Sequence, residues 1–268
     1  MGSADEEKYH WNAADYERHS SSQQLWAQAV VGRLCLQGDE RILDVGCGDG
    51  KVTAELAARV PRGCVLGIDN SEEMIAFAQA KFPARRVPNL SFNIGDATQL
   101  DFGGDFDLIV SFSCLHWVTD HAAVLNGIRK SLRPGGSTVL QFGGKGNAVS
   151  VFDATGDVLA RPQWGQYFED FSHPWTFYGP DEYDVLLRKA GLVTHRVELV
   201  LKVMVHESVE GFEGWMRTTW LPYVERLPED LGDTFVADVI QRHIQKNPLD
   251  AEGHIRVQMT RLEVEATV

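Results

Sequence analysis

Residues 43–50 read Leu43-Asp44-Val45-Gly46-Cys47-Gly48-Asp49-Gly50. A short apolar strand, Arg41 to Val45, runs straight into three alternating glycines. Lys51 to Val60 follows with Val52, Leu56 and Val60 at helical spacing. Strand, glycine turn and helix in immediate succession open a βαβ unit. The glycines permit a tight turn and let backbone N–H groups approach a ligand closely. The helix that follows offers an N-terminus that favours negative charge.

The same alternation continues outward. Cys64 to Ile68 reads as a second strand ending at Asp69, Ser71 as an N-cap, and Glu72 to Phe82 as its helix. Leu90 to Ile94 is a third strand, followed by Gly95-Asp96-Ala97. Phe106 to Phe112 is a fourth, an almost unbroken apolar run of the kind a doubly covered parallel sheet produces. His121 to Leu132 is helical, Arg133-Pro134-Gly135-Gly136 stops it, and Ser137 to Phe142 is a fifth strand. This is the pattern of an α/β protein with an open sheet and helices on both faces.

Upstream, residues 12–37 carry one helical stripe through Leu25, Ala29, Val30 and Leu34. Downstream, residues 143–180 are glycine-rich and then aromatic, and Asp181 to Ala190 is helical with Gly191 as its cap. Val193 to Val205 is a long strand, 207–247 hold two or more helices punctuated by Pro222 and Pro228, and His254 to Val264 is a closing strand. The expected organisation is an N-terminal helical segment over the site (1–38), a nucleoside-binding core (39–147) and an aromatic cap insert (148–180). A core helix and strand (181–205), a helical cap insert (206–250) and a closing strand (251–268) complete it.

The 268 residues include 25 basic and 38 acidic ones, a net charge of −13. Backbone-phosphate binding needs a surplus of Lys and Arg, so a nucleic-acid substrate is disfavoured. No apolar run reaches the ~18–20 residues of a membrane span. The start, MGSADEEKYHW, is polar and acidic, unlike a secretory leader. Cys35, Cys47, Cys64 and Cys114 form no CxxC, so no metal knuckle is indicated. They read as reduced, mostly buried thiols of a cytoplasmic protein, a monomer or homodimer acting on a small molecule.

Taken alone, a glycine loop with Asp69 23 residues after Gly46 is open between NAD and other nucleoside cofactors. The spacing is GxGxG with Lys51 where a dinucleotide fingerprint places glycine, which weakens the NAD reading. Asp44 and Asp49 make the loop rich in carboxylate, which suits the amino and sulfonium groups of S-adenosylmethionine (SAM). Residues 43–50 resemble the first motif of class I SAM-dependent methyltransferases. Gly67-Ile68-Asp69 resembles their ribose motif, Gly95-Asp96-Ala97 the adenine-facing one, and Leu132 to Gly136 the turn before their fifth strand. The resemblance implies a Rossmann-like fold, a mostly parallel seven-stranded sheet flanked by helices, with a mostly helical cap. It implies SAM contacts from Tyr16, Asp44, Gly46, Cys47, Gly48, Gly50, Asp69, Asn70, Met74, Asp96, Ala97 and Ser113, and no metal.

A narrower resemblance is to trans-aconitate methyltransferases and insect juvenile hormone acid methyltransferases, which methylate carboxylates. It rests on Trp11-Asn12-Ala13-Ala14-Asp15-Tyr16, on Ser111 to Val118, and on the spacing from Tyr16 to Gln23. It implies that Gln23 and Trp117 orient an acceptor carboxylate. His116 has two readings beside it, as a donor to that carboxylate or as a base for a hydroxyl, amine or carbon acceptor. Seven aromatics between Trp164 and Tyr178 read either as a cluster pinning a loop or as an apolar wall around a lipid-like acid, with Trp164, Phe171 and Trp175 facing it together with Trp220 from the second insert. Arg217, beside Trp215 and Trp220, is a candidate partner for one carboxylate, or else pairs with a surface acid. The expected activity is methyl transfer to a carboxylate of an apolar acid. C-, N- or hydroxyl O-methylation with His116 as base is the alternative, and a SAM-binding protein without turnover the remote one.

Overall fold

The computed structural model describes residues 9–268. Residues 1–8, which hold most of the stretch read as unlike a leader, lie outside the described residues. Seven strands form one sheet: β1 (Arg41–Val45), β2 (Cys64–Asp69), β3 (Leu90–Ile94), β4 (Phe106–Phe112), β5 (Leu132–Gly143), β6 (Val193–His206) and β7 (Ile255–Thr267). Their order is β3-β2-β1-β4-β5-β7-β6. The first five are parallel, and β7 runs antiparallel between β5 and β6. β1 and β4 are apolar along nearly their whole length because helices cover both faces of the sheet.

The order reverses between β1 and β4, and ligands bind at such a switch point, outside the C-terminal ends of the strands. Here the two strand ends are locked together. Ser111 Oγ donates to the Val45 carbonyl at 2.7 Å, and a Cβ on Gly46 would stand 2.1 Å from Cys114 Sγ.

The helices are α1 (Ala13–His19), α2 (Ser21–Val31), α3 (Lys51–Arg59), α4 (Glu72–Lys81), α5 (His121–Ser131), α6 (Val149–Leu159), α7 (Pro162–Gly165), α8 (Pro180–Lys189), α9 (Val209–Thr219), α10 (Leu221–Val224) and α11 (Gly232–Lys246). Ser71 caps α4 as expected, its Oγ accepting from Met74 N–H at 3.3 Å. Among the described residues no helix is long and apolar enough to cross a membrane.

Four details differ from the sequence reading. The stripe expected over 12–37 is two helices that meet at Ser20 and end at Val31. The Arg133–Gly136 turn lies inside β5, which pairs with β4 from Leu132 onward through a register shift near Phe106. The glycine-rich stretch after β5 contains α6, which packs on α11. Cys35 and Cys64 are exposed rather than buried.

The cap is a hydrophobic cluster of its own. Trp26 from α2, Val151 and Val158 from α6, Trp215 from α9 and Phe235 from α11 pack over the ends of β6 and β7. The sheet core lies beneath it in two further clusters, one on each face.

Candidate active site

The loop after β1 holds Gly46, Gly48 and Gly50 at φ +74°, +52° and +76°, a backbone that L side chains rarely adopt. It wraps a cavity of about 970 Å³ at the C-terminal ends of β1 to β4. Asp69 closes the loop from the end of β2. Its Oδ2 accepts Gly48 N–H at 2.9 Å and its Oδ1 accepts Ser71 N–H at 3.0 Å. Each oxygen keeps lone pairs for further donors. Burial pushes the Asp69 carboxyl upward, and these backbone bonds oppose the push.

Asp44 at the end of β1 accepts from Thr53 Oγ1 at 2.7 Å. Burial pushes its carboxyl up to about 7, with the Thr53 bond opposing and the Asp69 charge adding. Asp49 pairs with Lys51 Nζ at 3.0 Å, so the loop's other carboxylate is neutralised. Asp96, after β3, turns back on its own 3₁₀ turn, accepting from Thr98 and Gln99. Burial first, and then the neighbouring Asp69 and Asp44 charges, hold the Cys47 and Cys114 thiols protonated, so neither is a nucleophile at neutral pH.

Of the expected cofactor contacts, Tyr16, Asp44, Gly46, Cys47, Gly48, Asp69, Asn70, Met74, Asp96, Ala97 and Ser113 line this cavity. Gly50 does not. It is the N-cap of α3, and a Cβ there would stand 2.7 Å from Phe92 Cζ and 2.9 Å from Ala78 Cβ, so its role is packing under the loop.

A second, smaller cavity of about 60 Å³ adjoins the first. Trp11, Tyr16, Gln23, Ser113 and Trp117 line both and form the partition. The Trp117 ring stands edge-on to Trp11 at 5.1 Å and to Trp175 at 5.2 Å. Trp175 and Trp220 line the second cavity, as does His116. Gln23 lines both cavities, and its buried Oε1 has no protein donor, whereas its neighbour Gln24 donates to Glu55 at 2.9 Å.

His116 stacks on Phe177 at 6.1 Å. Its Nδ1 accepts Gly143 N–H at 3.4 Å, which leaves the proton of the neutral ring on Nε2. Burial, reinforced by the Arg261 charge, holds its pKa well below the usual imidazole value. It is therefore a neutral ring with one N–H to give, a poor base at pH 7.

Three expected substrate contacts fall elsewhere. Trp164 is buried in the cap, its Nε1 donating to Asp238 at 2.8 Å. Phe171 packs on Tyr223 under the Arg226 guanidinium. Arg217 pairs with Asp15 at 3.7 Å and Glu213 at 3.3 Å, the surface arrangement rather than the pocket one. None of the three lines either cavity.

The cation at the second cavity is Arg261 on β7, which the sequence reading missed. A signal was present, because Arg261 continues the buried face Ile255, Val257, Met259 and so places a charge where alternation demands an apolar residue.

An open α/β sheet with a glycine loop at its switch point and a carboxylate at the end of the second strand defines a protein that takes a nucleoside-bearing cofactor. Comparison with known proteins narrows this. A methyltransferase-domain family model matches residues 42–136. The chain is 30% identical over 249 residues to a trans-aconitate 2-methyltransferase of Variovorax paradoxus, covering 91% of this chain and 92% of that one. It is 28% identical to the juvenile hormone acid O-methyltransferase of Drosophila melanogaster, covering 91% and 84%. In fold it is similar to the YcgJ protein of Bacillus subtilis, with a TM-score of 0.60 at 18% identity over 93% of this chain and 98% of that one. The chain belongs to the class I SAM-dependent methyltransferases, in the group that holds the trans-aconitate and juvenile hormone acid enzymes. It is an enzyme of small-molecule methylation, and its cofactor is SAM.

The residues present fit that cofactor. A Cβ on Gly48 would meet no protein atom within 4 Å, so the loop leaves open space where a ligand lies against backbone. Asp69 offers two acceptors for a ribose diol, and Asp44 a buried carboxylate for a cationic group.

Proposed function

We propose that this enzyme transfers the methyl group to a carboxylate oxygen of a small, largely apolar acid. The observation that supports this best is the lining of the second cavity. It carries one guanidinium, Arg261, the donors Gln23, His116 and Trp117, a wall of aromatic rings, and no carboxylate. Such a lining favours an anion with an apolar body.

Bound SAM supplies an electrophilic methyl on a sulfonium. A carboxylate is already ionised at neutral pH, with a pKa near ~4, and needs no base. What remains for the protein is to hold the oxygen in line at ~3–3.5 Å, an arrangement worth several kcal/mol. In this reading Gln23 and Trp117, at the partition, orient the carboxylate. His116 adds an Nε2–H, and Tyr16, Asp44 and Asp69 face the cofactor side. Trp175 and Trp220 form the apolar wall. A single guanidinium suits a monoacid better than the tricarboxylate named for the bacterial relatives.

The test is methyl transfer from labelled SAM onto a panel of monoacids, their primary alcohols and their amines. A base-labile product from acids alone is expected. Transfer to alcohols or amines, giving base-stable products, would replace this reading with the one in which His116 is a base.

A further inference from the structure

Arg261 is 2% exposed and has no ion-pair partner among the described residues. Its Nη2 donates to Ser113 Oγ at 2.8 Å. Its guanidinium lies over the Trp26 ring at 5.6 Å from the centroid. Its Nε is buried and donates to nothing. The nearest acid in sequence on the same strand face, Glu263, is committed elsewhere: to Arg33 at 2.7 Å, to Arg196 at 2.9 Å and to Gln141 Nε2 at 2.8 Å. Burial pulls the Arg261 pKa down to about 10, with Tyr16 and Glu263 opposing the pull from a distance, so the group is still charged at neutral pH.

Buried charges are paired or they are costly. Arg261 lines a cavity that no carboxylate lines, so its buried guanidinium has no paired counter-ion there. Two other residues that line the same cavity also hold a buried polar atom without a protein partner, Gln23 at Oε1 and Trp215 at Nε1. Three residues lining one space of about 60 Å³ thus carry buried polar atoms without protein partners, within an aromatic shell. One positive charge balances a monoanion, and the planar fork of Arg matches a carboxylate. A phosphate dianion would need a second cation, and this lining has none.

We propose that Arg261 is the anion anchor of the acceptor subsite and selects monocarboxylates over their neutral analogues. This rests on the carboxylate reading above and deepens it, by assigning the discrimination between the ionised acid and its neutral analogues to that one guanidinium. Because Nη2 is bonded to Ser113, which lines both cavities, the anchor is tied to the partition rather than to the mobile end of a long side chain.

The test measures benzoate, hexanoate and their amides by calorimetry on the full-length protein saturated with S-adenosylhomocysteine. Wild type should bind each acid at least about 30-fold more tightly than its amide. Arg261→Gln should lose that preference while its S-adenosylhomocysteine affinity changes by less than about threefold. Arg261→Lys keeps the charge without the fork and should retain part of the preference. Arg261→Met should melt no lower than wild type without acid, because it removes an unpaired buried charge. It should also lose the upward melting shift that acid gives wild type. No acid preference in wild type, or a preference that survives in Arg261→Gln, overturns the anchor. Arg261-dependent acid binding without any base-labile ester leaves the anchor standing and removes carboxyl methylation. Ester formation with an unchanged KM in Arg261→Gln does the reverse.

Discussion

Gly48 N–H donates to Asp69 Oδ2 at 2.9 Å, so the loop after β1 is held by the carboxylate that ends β2. One residue thus shapes the glycine loop and presents acceptors to the cofactor cavity. Asp69→Ala should remove both and weaken SAM binding by about 1–3 kcal/mol, the range of lost charge-assisted hydrogen bonds. Asp69→Asn should lose less, because its amide oxygen can still accept from Gly48. Calorimetry of S-adenosylhomocysteine against both variants checks this, and equal affinity in all three proteins would remove Asp69 from the site.

The two glycines that flank Cys47 should behave oppositely. At Gly46 a Cβ would stand 2.1 Å from Cys114 Sγ and 2.4 Å from its Cβ at φ +74°. Gly46→Ala therefore overpacks the switch point and should lower stability by roughly 2–4 kcal/mol, summing strain and left-handed backbone cost. At Gly48 a Cβ meets nothing within 4 Å. Gly48→Ala should cost only about 1 kcal/mol of stability, from its φ of +52°. Its main effect should be on SAM affinity, through a methyl in the cofactor's space, and Gly48→Val should strengthen it. Thermal melts and SAM titrations on the three variants separate the two roles. A Gly48→Val that binds SAM as wild type does would show that the loop is not the cofactor's seat.

Asp44 couples cofactor binding to pH. Its carboxyl sits at about 7, raised by burial. A cation bound beside it favours the ionised form, so below pH 7 binding must release a proton. Affinity for SAM should rise roughly tenfold from pH 5.5 to 7 and then level off, because above its pKa the group is already charged. Calorimetry in buffers of different ionisation enthalpy should show close to one proton released at pH 6. Asp44→Asn should bind more weakly and lose the dependence. Binding with no proton release at pH 6 would show that the cofactor's cationic end lies away from Asp44.

The core was legible because a parallel sheet covered on both faces writes its strands as apolar runs. Arg41–Val45, Leu90–Ile94 and Phe106–Phe112 stand at the positions the sequence indicates. The cap was not, because aromatic density marks a cluster without saying which rings face a cavity. Trp164 and Trp175 are both buried, yet one packs into the cap and the other lines the site. Arg217 misled through its closeness to Trp215 in sequence. Two positions apart on α9 is about 200° around the helix, so one faces the cap and the other its surface acids. Helix α6 was hidden by the glycines around it, although Val151, Ala154, Thr155 and Val158 repeat at helical spacing and are all buried. The readable part of Arg261 was its place on an apolar strand face. Its missing counter-ion was visible only once the cavity was.

The His116 ring decides between an acceptor that arrives ionised and one that must lose a proton. Its Nδ1 accepts Gly143 N–H, its Nε2 carries the proton, and its pKa lies well below the ordinary imidazole value. A ring in this state gives a hydrogen bond and does not take a proton at pH 7. For a carboxylate acceptor, His116→Gln should keep a donor in nearly the same place and lose only about 5- to 150-fold in kcat/KM, the equivalent of roughly 1–3 kcal/mol. With SAM saturating, the wild-type rate should be flat from pH 6 to 9, because neither the acid nor the imidazole titrates there. For a hydroxyl, amine or carbon acceptor the ring would have to act as a base. Its replacement would then cost about 10²–10⁴-fold, and kcat/KM would climb through a pKa that vanishes in the variant. The measurement is the pH–rate profile of wild type and His116→Gln on the best acid of the panel. A limb between pH 6 and 8 that the substitution abolishes would mean that substrate binding moves the ring out of its Gly143 bond and restores its basicity. That result would end the carboxylate assignment.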